Sequence, residues 1–433
     1  MKKAYILLLG SLLLTAGCST DLDQFPPNIA SAGSLTDFSG VLNAAYFYQH
    51  ASVTPMAVMG DFRADNALME EEPYPAFDRF NRDLLDMNDQ FFRPFYAALY
   101  KSILSANNVI ENSSDGTQIG EAKFLRALSY FKLVQMFGDT TVNLSAEPST
   151  TDTSILVRRP VAEVYNNVII PDLQDAISML GNNIVNGRAS RIAAQGLLGK
   201  VYVHMGNFGN AESHLAAVVN TAPGAGISLQ ENFADIFGFA NDLNSEVIFA
   251  TQISSSVVDE YGFSEFWEWS FGLDTKALDP LDASLVAAFD ASPGDLRRAV
   301  TIDEETLASP KFQQTDGPDH DWIELRLADV ILLYAEALNE NGSTSAALTE
   351  LNKVRTRAGL ANSTSTTQAE VRTAIADERR LELAFEGHRW FDLVRTGTAQ
   401  SVLGFGDANY LLAPIPVSEI SSSFGVITQN PGY

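Results

Sequence analysis

The sequence predicts a mainly α fold, with about four tetratricopeptide-like helix pairs as scaffold and a loop-rich half carried on them. Three observations lead there. Apolar residues recur at helical spacing through most of the chain, as in Phe124, Leu128 and Phe131 with Ala127 and Val134 beside them. Residues 191–223 fit a tetratricopeptide register, with Leu198, Gly199 and Tyr202 on the first helix and Gly206 at the turn; Phe208, Ala211 and Leu215 follow on the second, and Pro223 ends the unit. Two long insertions, about 60–95 and 224–320, break that regularity with Gly, Pro, Asp and aromatic residues.

Taken from the start, Lys2 and Lys3 precede a mostly apolar run from Ala4 to Ala16, the length of a signal-peptide core and too short to span a bilayer. Thr15-Ala16-Gly17-Cys18 then has the shape of a bacterial lipoprotein processing site, with Thr15 where Leu is usual. Residues 1–17 are therefore expected to be a signal peptide and Cys18 the lipidated residue. Residues 18–34, acidic at Asp21 and Asp23 and broken by Pro26 and Pro27, read as a tether. Residues 35–433 read as one domain. Helix pairs are expected at Phe95–Ile110 with Glu121–Phe137, around Val161–Leu180, at 191–223, and from Tyr334, where Ala335, Gly342, Ala347, Leu351 and Val354 repeat the offsets. Glu246–Ala250 reads as a short strand and 140–160 as a Thr/Ser-rich loop. Leu381, Ala384, Phe385 and His388 continue a helical stripe, with Glu378, Arg379, Glu382, Glu386 and Arg389 on the other side.

Charge and motif content narrow the function. The chain of 433 residues has 28 Lys+Arg against 54 Asp+Glu, a formal charge of −26, which argues against nucleic acid. Its five histidines form no zinc motif, and no nucleophile elbow, phosphate loop or dinucleotide loop is present. The expectation is a protein with no catalytic residues, no metal and no cofactor. Asp316–Asp321 is a dense acidic turn without the spacing of a calcium loop. His388, on an apolar face, is expected to be structural.

Two segments offer binding chemistry. Tyr261–Phe271 holds six aromatic residues in eleven, among them Phe266, Trp267 and Trp269, interrupted by Glu265 and Glu268. Flat rings stack on the apolar face of a sugar while carboxylates accept its hydroxyl hydrogens; a loop-plugging satellite core is the equal alternative. Asp61–Asn66 places Arg63, Asp65 and Asn66 ahead of Tyr74 in a Pro-rich loop, either as directional ligand contacts or as a helix-end salt bridge made by Arg63.

Longer stretches resemble a known family, the SusD/RagB outer-membrane lipoproteins of Bacteroidetes. Those stretches are Tyr100–Ile110, Glu121–Phe131 through Asp139, Arg326–Leu338, Asp377–Arg395, and the closing Pro414-Ile415-Pro416 and Gln429–Tyr433. The resemblance implies a SusD-like fold and a lipid-anchored, outward-facing position on the cell outer membrane. It also implies a SusC-like TonB-dependent transporter as partner and capture of oligosaccharide without catalysis. Gly60–Asn66 resembles the family's loop near the binding face. A neutral glycan is expected, because the binding loops carry few basic residues beyond Arg63, Arg79, Arg82 and Arg93. A peptide ligand, as in the RagB branch, and a surface glycosidase with an unrecognised carboxylate pair are the alternatives.

Overall fold

The computed structural model describes residues 37–70, 72–149, 151–254, 281–305, 309–312 and 320–433. The signal peptide, Cys18, the tether and the aromatic segment Tyr261–Phe271 lie outside the described residues, as does most of the Asp316–Asp321 turn.

Helices dominate, and each begins and ends for a local reason. Helix α1 (Ser39–Phe47) leads into α2 (Arg93–Asn112), which buries Phe95, Leu99, Ile103 and Ala106 along one stripe. Helix α3 (Gly116–Phe137) starts where the Asp115 carboxylate accepts from the amides of Thr117 and Gln118, and ends at Gly138, whose φ of 72° only glycine adopts freely. It is buried on nearly all sides, so it is the central rod of the fold. Helix α4 (Ile170–Met179) packs on α3, and α5 (Arg191–His204) pairs with α6 (Phe208–Thr221) across the Gly206 turn. Gly199 lets Leu215 press directly on the α5 backbone. Helix α7 (Leu327–Glu340) repeats the arrangement with α8 (Thr344–Arg357) across Gly342, and α9 (Gln368–Glu382), started by a Thr367/Glu370 capping box, packs on both. Helix α10 (Arg389–Arg395) follows. Phe38–Tyr433 packs as one unit.

Three of the expected pairs are present: α2/α3, α5/α6 and α7/α8. The fourth is built differently. Residues 161–179 form a single helical run, interrupted by a π turn at Tyr165–Ile169, and it packs against α3 and α5 rather than folding back on itself. The Thr/Ser-rich loop contains a two-residue ladder, β1 (Thr140–Thr141) with β2 (Arg158–Arg159). The expected strand is β3 (Val247–Thr251), which pairs antiparallel with β4 (Trp322–Arg326), Thr251 opposite Trp322.

The stripe expected to run through His388 is broken. Helix α9 stops at Glu382, and Phe385 and Gly387 turn through positive φ of 66° and 76°. Its polar side is buried: the Arg326 guanidinium meets Glu246, Glu382 and Glu386 at 2.6–2.8 Å, and Lys311 meets Glu386 at 2.5 Å. Opposite charges satisfy one another there, so the polar side of the expected stripe joins the C-terminal helices to β3 and β4.

Candidate functional site

Helix α1 presents a mixed face to solvent. Asn43, Tyr46 and Phe47 fall at i, i+3 and i+4, so they share one side, and His50 follows in the next turn of chain. Opposite them stand Asn186, Arg188, Phe249, Thr251 and Gln252, and the groove between has a volume of about 310 Å³. The Phe47 ring packs at 5.2 Å on the His50 ring and both are half-exposed. The amides of Asn43, Asn186 and Gln252 lie at the surface.

The charges of this groove cancel. Glu121 accepts from Arg188 Nε at 2.6 Å and from the Tyr46 hydroxyl at 2.6 Å; Arg188 also donates to Asn43 Oδ1 at 2.9 Å and lies over the Tyr46 ring. Burial, with Glu121 beside it, pushes the Tyr46 phenol well above its ordinary pKa, so it remains a neutral donor. Beneath, Thr251 Oγ1 and Lys132 Nζ both donate to Glu324 Oε1, at 2.7 and 2.6 Å. Lys132 reaches Ser52 Oγ and Gln49 Oε1 as well, and the Gln49 amide donates to Ser102 and Ser129. The groove is thus a preorganised, nearly neutral surface of rings and amides on a saturated polar floor. Such a surface suits polyhydroxylated ligands, whose hydroxyls need both donors and acceptors. Sequence reading did not single it out: its residues come from three separate stretches, and only the polar face of a short helix signals it.

Behind that floor lies a smaller cavity of about 40 Å³ between α3, α5 and residues 386–392, lined by Lys132, Lys200, His204, Glu324 and His388 among others. His388 Nδ1 is 3.3 Å from Lys200 Nζ, and burial, reinforced by that ammonium, lowers the imidazole pKa to about 3. It is a shielded, neutral histidine.

Most of the side chains singled out in 61–74 are buried. Arg63 is 1% exposed and donates to the carbonyls of Phe77 and Tyr410, both at 2.6 Å, between the rings of Phe80 and Trp390. Burial lowers its pKa to about 10. The helix-end salt bridge considered for Arg63 is instead made by Asp65, with Arg389 at 2.6 Å and Arg380 at 3.2 Å. Asn66 is fully buried and donates to Asp61 Oδ1 at 2.7 Å. Tyr74 is buried against Phe91 and accepts from Gln90 at 3.2 Å. Arg63, Asn66 and Tyr74 are turned inward, so here they hold the loop rather than meet solvent; Asp65 is half-buried.

The described chain stops at Ser254, just past groove residue Gln252, and resumes at Leu281, which bridges to Ala67; the amide of Asp282 then donates to the carbonyl of Asn66. Trp267, Trp269 and Phe266 lie between those two anchors in sequence. Among the described residues no cluster of His, Cys, Asp and Glu is arranged to hold a metal. His320 accepts from the amide of Gly238 at 2.8 Å, and Asp321 accepts from that of Ile253 at 2.9 Å.

Comparison with known proteins bears on both fold and site. A model of the SusD family matches residues 297–409, and one described as starch-binding and associating with the outer membrane matches residues 20–203. A SusD-like protein of Formosa agariphila is 27% identical with both chains wholly covered. The starch-binding protein SusD of Bacteroides thetaiotaomicron is 24% identical over 77% of this chain and 76% of its own. Among solved structures, a laminarin-binding SusD-like protein superposes with a TM-score of 0.76 at 26% identity, covering 92% of this chain and 99% of its own. A superfamily member from Parabacteroides distasonis reaches 0.79 at 21% identity, covering 94% of this chain and all of its own.

Proposed function

We propose that this member of the SusD/RagB family, a family of non-catalytic binding proteins described as associating with the outer membrane, is a cell-surface lipoprotein that captures a neutral oligosaccharide or polysaccharide and passes it to a SusC-like TonB-dependent transporter. The observation that carries this reading is the α1 groove: surface amides beside two half-exposed rings, with Arg188 neutralised by Glu121. In this reading Cys18 carries the lipid anchor. Residues 35–433 form the binding domain, and Trp267, Trp269 and Phe266 supply stacking rings for the ligand. Arg63, Asn66 and Tyr74 act from behind as framework, and Asp65 stands at the edge. The starch- and laminarin-binding relatives support a glucan as the first ligand to try.

The test is affinity gel electrophoresis against neutral and acidic polysaccharides. Retardation by a neutral glycan is expected, weakened at least about fivefold by Phe47→Ala or Trp267→Ala. Release of reducing ends would sink the reading, and so would retardation by a neutral glycan that neither substitution alters.

A further inference from the structure

Two side-chain amides of the α1 groove are fixed in orientation by the chemistry of their partners. Asn43 Oδ1 accepts from Arg188 Nη1 at 2.9 Å. A guanidinium only donates, so the Asn43 carbonyl faces Arg188 and its NH2 is turned away from it. Across the groove, Gln252 Nε2 donates to the backbone carbonyl of Asn186 at 2.7 Å. A carbonyl only accepts, so the Gln252 NH2 faces Asn186 and its Oε1 is turned away. Both side chains are exposed, and neither outward group has a hydrogen-bond partner among the described residues.

One turn holds both amides. The Arg188 amide donates to the Val185 carbonyl at 3.0 Å, and Asn186 and Gly187 sit between them at φ of 50° and 68°. An Asn-Gly pair is suited to such a turn, because both central residues need positive φ. Gly187 has a second use: a Cβ there would overlap the Gln252 amide nitrogen, so its absence lets that amide dock on the turn. Arg188 leaves the same turn held at three points. Its Nε meets Glu121 Oε2 at 2.6 Å, its Nη1 meets Asn43, and its guanidinium lies 4.6 Å over the Tyr46 ring. Tyr46 is fixed in turn, its hydroxyl donating to the same Glu121 oxygen at 2.6 Å and accepting from the Ala189 amide at 3.0 Å. Glu121 is buried on α3. A buried carboxylate thus sets, through Arg188, which way a surface amide points.

A free surface amide can flip to suit either polarity of partner; these two cannot. A hydroxyl brought to the Asn43 amide meets donors and has to accept, and one brought to Gln252 Oε1 meets an acceptor and has to donate. No rotamer freedom is left for the ligand to freeze at those points. We propose that Arg188 is a positioning residue of this groove, holding Asn43 as an outward donor opposite the Gln252 acceptor, so that the groove reads the hydrogen-bond polarity of sugar hydroxyls on its two walls. The proposal rests on the glycan reading of the groove.

The experiment is a double-mutant cycle read by affinity gel electrophoresis. The probes are soluble starch and laminarin, followed by the other neutral polysaccharides of the panel. Arg188→Lys keeps a cation for Glu121, but a single ammonium lacks the fork that serves Glu121 and Asn43 together. It is expected to weaken retardation about fivefold, as is Asn43→Ala. In the Asn43→Ala background, Arg188→Lys is expected to cost less than about twofold, since the amide it positions is gone. Asn43→Asp still accepts from Arg188 but turns an acceptor outward, and it is expected to weaken retardation at least as much as Asn43→Ala. Equal losses from Arg188→Lys in the two backgrounds, or parent-like retardation of Asn43→Asp, would overturn the positioning role and leave glycan capture standing. A parent chain that none of these polysaccharides retards would overturn the glycan reading and the proposal with it.

Discussion

Asp61 shows how one buried side chain ties distant sequence together. Its carboxylate accepts from the amides of Phe385 and Gly387, at 3.0 and 2.5 Å, and from Asn66. Burial still raises its pKa to about 6. His388, three residues past Phe385, is shifted the other way, to about 3, by burial and by Lys200. The unfolded chain protonates this imidazole near 6.5 and the folded chain only near 3, so in that window the unfolded state binds more protons. Stability from this group is therefore complete above pH 6.5 and falls as pH drops, by about 2 kcal/mol at pH 5. Asp61 contributes with the opposite sign, gaining stability as pH falls through 6, so the comparison has to be made within one background. Between pH 7 and 5, His388→Asn is expected to lose about 2 kcal/mol less than the parent chain in urea unfolding. Equal losses would show that His388 titrates normally.

At the scale of elements, the crossing of the 58–62 turn with the 385–387 turn is the tightest joint on the path from the loop to the C-terminal helices. A Cβ on Gly60 would overlap the backbone of Gly387, and neither strand of chain has a flexible end to give way. Gly60→Ala is expected to destabilise the protein by about 3 kcal/mol, the upper range for forced overpacking. A loss below about 0.5 kcal/mol in denaturant unfolding would mean that the joint relaxes freely. Nearby, α9 ends because the backbone reverses at Phe385 and Gly387, with Asp61 holding the amides that the reversal frees. In the segment that resembles the family's binding-face loop, Gly60 and Asp61 fasten the loop to the 385–387 turn.

Over the whole molecule, a charge of −26 is divided between a solvated surface and buried networks such as Arg326 with Glu246, Glu382 and Glu386. The α1 groove itself is close to neutral, since Arg188 is matched by Glu121. On the proposed reading, long-range attraction therefore contributes little to capture of a neutral glycan. Its affinity is expected to change by less than about twofold between roughly 0.05 and 0.5 M NaCl. A steep fall with salt, or tighter retardation by an acidic polysaccharide than by a neutral one, would reverse the choice of ligand charge.

The helical class, three of the helix pairs, the short strand near Val247 and the family resemblance were all legible in the sequence, because periodicity, caps and turn glycines are local properties. The fourth pair was expected but is not formed: residues 161–179 stay one helical run through the π turn at Tyr165–Ile169, and its packing on α3 and α5 is a tertiary property that periodicity does not report. Nor was the true address of Arg63 and Asn66 legible: polar residues in a loop look presented, and only the packing of Phe80, Trp390 and Asp61 around them reveals that they face inward. The α1 groove belongs wholly to the tertiary structure. Asn43, Asn186 and Gln252 are far apart in the chain and carry no motif, and they become one surface only when α1, the 186–188 turn and the end of β3 pack side by side.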